Sequence, residues 1–179
     1  MRLCICLMPL GKLAWPVVKP LTEHEIRTAF VNCTKGQAKR LYVPRDLADR
    51  PWDDLDFLGW HDPQAPDRAY LVAELDGHPS ALALRRPSPV AGQARRGMCS
   101  ICLTTHSDVS LMVAPKAGKA GQQGNSVGTY LCADLACSLY VRGKRDAGAG
   151  ARLHESLTLE EKIERTVANL AAFVARVTA

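Results

Sequence analysis

Aromatic residues make up only 6% of the 179-residue sequence, and no apolar run approaches the ~18 residues that a membrane-spanning helix needs. The first shortage argues against an aromatic-rich lectin-like sandwich, the second against a membrane span. An apolar content of 47% argues equally against a disordered polar chain. The G-x-S-x-G, H-E-x-x-H and G-x-G-x-x-G signatures are missing, and Gly118-Lys119 lacks the flanking Gly and Ser/Thr of a phosphate-binding loop. Asp53, Asp54 and Asp56 have no spacing that would converge them on Mg²⁺ or on acid-base work. There is no internal repeat. The length fits one compact core with small satellites, not two full domains.

What the sequence does hold is seven cysteines, an odd number that argues against a closed disulfide framework. Cys4 and Cys6 fall in residues 1–18, an apolar stretch interrupted by Pro9, Gly11, Lys12 and Pro16. No small-x-small cleavage site follows it, so the segment reads as a flexible leader and not as a signal peptide. The expected compartment is then the cytoplasm, where clustered thiols are more often zinc ligands than disulfides. Cys33 stands alone and reads as a small buried residue.

The remaining four cysteines form a C-x2-C pair, Cys99 and Cys102, and a C-x4-C pair, Cys132 and Cys137. Each short loop brings two thiolates within reach of Zn–S bonds of about 2.3 Å, and two such loops complete a tetrahedron. The competing reading is a redox dithiol at Cys99/Cys102, a motif that belongs in a βαβ setting not visible here. His106 is a candidate substitute ligand; with four cysteines at hand it reads as a neighbour of the site or a surface residue. Four thiolates and one Zn²⁺ leave no open coordination position, so the expected ion is single and structural.

The spacing of other residues predicts an α+β fold. Thr22-Glu23-His24-Glu25 opens a short helix to about Asn32. The runs 69–75 and 80–84 flank Asp76-Gly77 as a hairpin. Strands are expected at Val109–Ala114 and Val127–Leu131, joined by a mobile glycine-rich loop, and a helix at Ala133–Val141 stopped by Gly143. Thr158-x-x-Glu161 starts a long helix whose stripe from Leu159 through Ile163, Val167, Leu170, Phe173 and Val174 to Val177 must dock on the core or on a partner. A knuckle, a hairpin and a helix that supplies the last ligands from its N-terminal end make a treble-clef zinc finger, here within antiparallel strands and flanked by an N-terminal helix and a long C-terminal one. The implied divisions are a 1–18 leader and a single 19–179 domain. Within the domain they are an α/β half at 19–97, a zinc module at 98–143, a linker at 144–156 and the final helix at 157–178.

Charge is uneven. Residues 85–152 carry ten Lys/Arg against three Asp, a net +7, while 46–67 carry seven Asp and one Arg. The basic half implies an acidic protein partner or RNA phosphates. The acidic stretch reads equally well as an intramolecular counterweight.

Several segments together resemble one family: Lys19-Pro-Leu-Thr-Glu, Phe30-Val-Asn-Cys-Thr-Lys-Gly, Trp52-Asp-Asp-Leu-Asp-Phe-Leu-Gly-Trp60, Met98-Cys-Ser-Ile-Cys-Leu, Gly124-Asn-Ser-Val-Gly-Thr-Tyr130, Cys132-Ala-Asp-Leu-Ala-Cys137 and Ser138-Leu-Tyr-Val-Arg-Gly143. The chain is similar, from about Lys19 to Val177, to the FBP family of elongation factor G-binding proteins with a C-terminal treble-clef zinc finger, relatives of the FusB-type fusidic acid resistance proteins. The resemblance implies a monomeric, cytoplasmic, non-enzymatic protein that binds elongation factor G through the zinc-bearing domain and promotes its release from the ribosome. It places Cys99, Cys102, Cys132 and Cys137 at the zinc-ligand positions and Tyr130, Tyr140, Arg142, Lys144 and Arg145 on the partner-binding surface. The resistance proteins carry a helical bundle ahead of this domain, where the present sequence has the 18-residue leader. The alternative is a zinc-dependent protein that binds RNA or the ribosome.

Overall fold

The computed structural model of the protein describes residues 18–86, 96–148 and 155–179. Five antiparallel strands form the central sheet in the order β1-β2-β3-β6-β7: β1 (Phe57–His61), β2 (Arg68–Leu75), β3 (His78–Arg85), β6 (Val109–Pro115) and β7 (Ser126–Cys132). β4 (Gly97–Met98) and β5 (Thr105–His106) pair separately. The helices are α1 (Glu23–Thr28), α2 (Lys35–Ala38), α3 (Gly118–Gln122), α4 (Cys137–Val141) and α5 (Leu159–Thr178). This is the α+β class that the sequence implies.

β2 reads as an almost unbroken apolar run because both of its faces are covered. Leu71, Leu82, Leu84, Met112 and Leu131 pack with Leu170, Phe173 and Val177 of α5 and with the buried cysteines. Tyr70, Val72, Ala81, Leu58 and Trp60 pack on the opposite side with Ile26, Val43 and Trp52. The C-terminal helix therefore docks on the core, started by the expected capping box at Thr158. The expected hairpin is present as a two-residue turn: Asp76 and Gly77 both hold positive φ, 51° and 76°, matching the twist of the flanking strands.

Other boundaries differ for identifiable reasons. α1 stops at Thr28, short of Asn32, because Ala29 and Val31 turn away to exchange backbone hydrogen bonds with Ala81. β1 was hidden among the Asp and Pro residues of 46–67. The expected mobile loop after β6 contains α3. Val18, at the expected leader boundary, is fully buried, and its N–H donates to the Leu55 carbonyl. The rest of the leader, with Cys4 and Cys6, and part of the 144–156 linker lie outside the described residues.

The sheet has a seam. β3 and β6 share a single backbone pair, Arg85 with Val113. Beside it the buried Asn32 side chain acts as a surrogate peptide. Its Oδ1 accepts from Ala83 N–H at 2.8 Å, and its Nδ2 donates to the Ala83 and Pro115 carbonyls at 2.9 and 3.1 Å. Asn32→Ala removes all three bonds at once. Each buried group left unmatched costs about 1–3 kcal/mol, so the unfolding free energy is expected to fall by at least that amount, read as a lower denaturant midpoint at an unchanged m-value.

Candidate metal centre

Cys99 and Cys102 flank the tight turn between β4 and β5, Cys132 ends β7, and Cys137 is the first residue of α4. All four are buried free thiols whose sulfurs lie within 4.8 Å of one another. Two contacts run between the pairs, Cys99 to Cys137 at 3.6 Å and Cys102 to Cys132 at 3.5 Å. A tetrahedron of 2.3 Å Zn–S bonds has sulfur–sulfur edges of about 3.8 Å. The cluster thus fits that ion, and the convergence of all four sulfurs disfavours the redox-dithiol alternative, in which Cys99 and Cys102 would face each other alone.

Sulfur hydrogen bonds, first from Cys102, pull the Cys99 thiol far down, and those from Cys132 first pull Cys102 down. Cys132 and Cys137, each acting first on Cys102, are pushed up. Four adjacent thiolates cannot coexist without a cation, so the bare cluster retains protons that a divalent metal would displace.

The backbone is shaped to the site. Ile101 N–H points at the Cys99 sulfur, 3.4 Å away. Leu103 and Leu135, one in each cysteine loop, hold left-handed φ values of 58° and 57°, a conformation that costs a non-glycine residue about 1–2 kcal/mol. Leu135 also requires Gly59 on β1, where an added Cβ would overlap its own. His106 is not a ligand substitute. Asp108 N–H bonds its Nδ1 at 3.3 Å, which leaves Nε2 as the proton carrier, 3.3 Å from the Cys132 sulfur. An N–H donated to a metal-bound thiolate fixes its orientation and softens its charge.

The other expected site residues divide between inside and outside. Tyr140 is buried against the His106 ring at 4.8 Å and donates to Asp134 at 2.8 Å; burial, then that bond, pushes its phenol up. Arg142 makes a two-pronged pair with Asp56 at 2.6 and 2.7 Å, its side chain 9% exposed and that of Asp56 1%. Lys144 pairs with Asp54 and Arg145 with Asp134, both with half-exposed side chains. Tyr130 is 55% exposed. The acidic stretch is therefore an intramolecular counterweight at Asp54 and Asp56. Cys33 is only half-buried, far enough for desolvation to push its thiol up.

Around Tyr130 lies a feature with no periodic signature in the sequence. Leu111 is its cross-strand neighbour and is also exposed, and Met98, exposed as well, sits on β4 where that strand packs over β6 and β7. Tyr130 is tied to the knuckle by Ser100 N–H, which donates to its carbonyl at 2.8 Å.

A knuckle, the β6–β7 hairpin and α4 closing on four cysteines define a treble-clef zinc-finger protein. The chain belongs to the FBP C-terminal treble-clef zinc-finger family, whose model matches residues 25–177. Family and cluster together give it a structural zinc ion. It is also similar to the solved structure of the fusidic acid resistance protein FusC, with a TM-score of 0.50 at 18% identity, over 80% of this chain and 54% of that one. The likeness is one of fold, and this chain spans about half of FusC. No curated protein matches. Among the described residues, no helix is long and apolar enough to cross a membrane.

Proposed function

We propose that the protein is a zinc-stapled binding protein, not an enzyme. Cys99, Cys102, Cys132 and Cys137 ligate one structural Zn²⁺, and the partner is elongation factor G, whose release from the ribosome the protein promotes in the manner of the FusB-type resistance proteins. The observation that carries this reading is the exposed cross-strand pair of Tyr130 and Leu111 beside a buried, four-cysteine centre. Exposed apolar residues grouped in this way mark interaction surfaces, and an aromatic anchor is the commonest hot spot within them. Lys144 and Arg145 would supply the half-exposed charged rim. Tyr140 and Arg142 would act from within, holding α4 in place. Membership of the FBP family supports the choice of partner.

Calorimetry with the zinc-loaded protein and purified elongation factor G is expected to show saturable binding near ~10 μM or tighter, about −7 kcal/mol. Tyr130→Ala should weaken it by roughly 2 kcal/mol, the scale of an aromatic hot spot, with an unchanged melting temperature. No heat of binding with zinc in place would refute the assignment.

A further inference from the structure

A cleft of about 430 Å³ opens where residues 31–34 and α2 face the end of β6 and α3, within the ~300–1,000 Å³ typical of small-ligand sites. It is separate from the zinc. β6 begins at Val109, opposite Cys132, and ends at Pro115 on the cleft wall. Three cationic residues line it, Arg68, Arg85 and Lys116, and no carboxylate does. Arg68 interacts with the Tyr70 hydroxyl. None of the ion pairs among the described residues uses any of the three cations.

The register supplies a second observation. Arg68 and Arg85 stand directly opposite each other on β2 and β3. Like charges at that position are separated by only ~4.5–5.5 Å between Cβ atoms and destabilise a hairpin. Elsewhere in the zinc half the cations at 142, 144 and 145 each meet an aspartate. A local rule broken here and kept there marks a place where the charge serves a ligand. Gln37 and Gln122 add neutral donors from α2 and α3.

We propose that this cleft binds a phosphate ester. Each guanidinium fork can hold two phosphate oxygens, and the Lys116 ammonium adds a point charge from the β6 end. The phosphate can belong to a free small molecule or to an RNA backbone. The site does not depend on the elongation factor reading, because its residues are not those of the Tyr130 patch.

The test uses the zinc-loaded full chain, titrated with inorganic pyrophosphate by calorimetry and with a short fluorescein-labelled single-stranded RNA by anisotropy. Saturable binding of at least one probe below ~1 mM is expected. Arg68→Gln, Arg85→Gln and Lys116→Gln should each weaken it about tenfold or more. Arg176→Gln on α5, an equal change in net charge, should leave it unaltered. Arg68→Gln and Arg85→Gln should also raise the melting temperature of the free protein, since the opposed charges are relieved. Pyrophosphate binding without RNA binding would assign the site to a free phosphate ester; RNA binding lost in the same variants would assign it to a backbone phosphate. The proposal is overturned if neither probe saturates, or if Arg176→Gln weakens binding as much as Arg85→Gln. Tyr130→Ala should weaken factor binding and leave this binding intact, so either reading can fail alone.

Discussion

Stripping the zinc with a chelator, or replacing Cys137 with Ser, is expected to unfold the zinc-finger half of the chain and with it the shared core. The elements that carry the ligands cannot stand alone. β4 and β5 are two residues each and α4 is five, well below the ~12–15 residues at which an isolated helix becomes even marginal in water. Their side chains are nonetheless part of the main core, where Cys99, Ile101, Cys102, Cys132 and Tyr140 pack with Leu170, Phe173 and Val174 of α5. Asn169 on that helix also donates to the Ile101 carbonyl at 3.0 Å. Structural zinc sites are worth about 10–16 kcal/mol in small fingers, against a total domain stability of about 5–15 kcal/mol. Mass spectrometry under native conditions should find one ion per chain, and circular dichroism should show the folded signal lost after metal removal. Cys33→Ser should change neither. An unchanged melting curve in a chain shown to be metal-free would refute the structural role.

Asp56→Ala should be the next most damaging change, by a different mechanism. The Asp56 carboxylate is fully enclosed, and it holds the Arg142 guanidinium through both of its oxygens while Ser138 Oγ accepts from the Asp56 backbone N–H at 3.0 Å. The group ties the start of β1 to α4, 86 residues away in sequence. Deleting one partner of such a buried pair strands the other charge, at about 3–5 kcal/mol. Replacing both, Asp56→Leu with Arg142→Leu, should cost clearly less than the sum of the single changes, because no charge is then left unmatched. Asp54→Ala provides the contrast. Its partner Lys144 is more than half exposed, so the loss should stay below ~1 kcal/mol. Urea unfolding of these variants and of the two single leucine changes decides the matter; a single-substitution cost under about 1 kcal/mol at Asp56 would show that water already solvates Arg142.

What could be read from the sequence followed from how local each signal is. The hairpin was legible because Asp76-Gly77 sits between two apolar runs, and the start of α5 because Thr158 and Glu161 are three residues apart. The metal centre was legible because each pair of thiols is closed by a loop of two or four residues. β1 was not, since Asp56 and Trp60 at its two ends are buried beside partners distant in sequence: Asp56 meets Arg142, and Trp60 donates its indole N–H to the Tyr42 carbonyl. The residues expected at a partner surface share only a chemical type, and type does not reveal direction. Arg142 and Tyr140 turn inward because Asp56 and Asp134 wait there. Asn32 gave no signal at all, because a side chain standing in for a peptide group has neither period nor motif.

That substitution of side chain for backbone bears on kinetics. β1-β2-β3 and β6-β7 are each closed by contacts near in sequence, which cost little loop-closure entropy, whereas joining Asn32 to Ala83 and Pro115 spans 51 and 83 residues. The two meanders should therefore assemble before the seam between them closes. Asn32→Ala should then act mainly by hastening unfolding, leaving the refolding rate close to that of the parent chain.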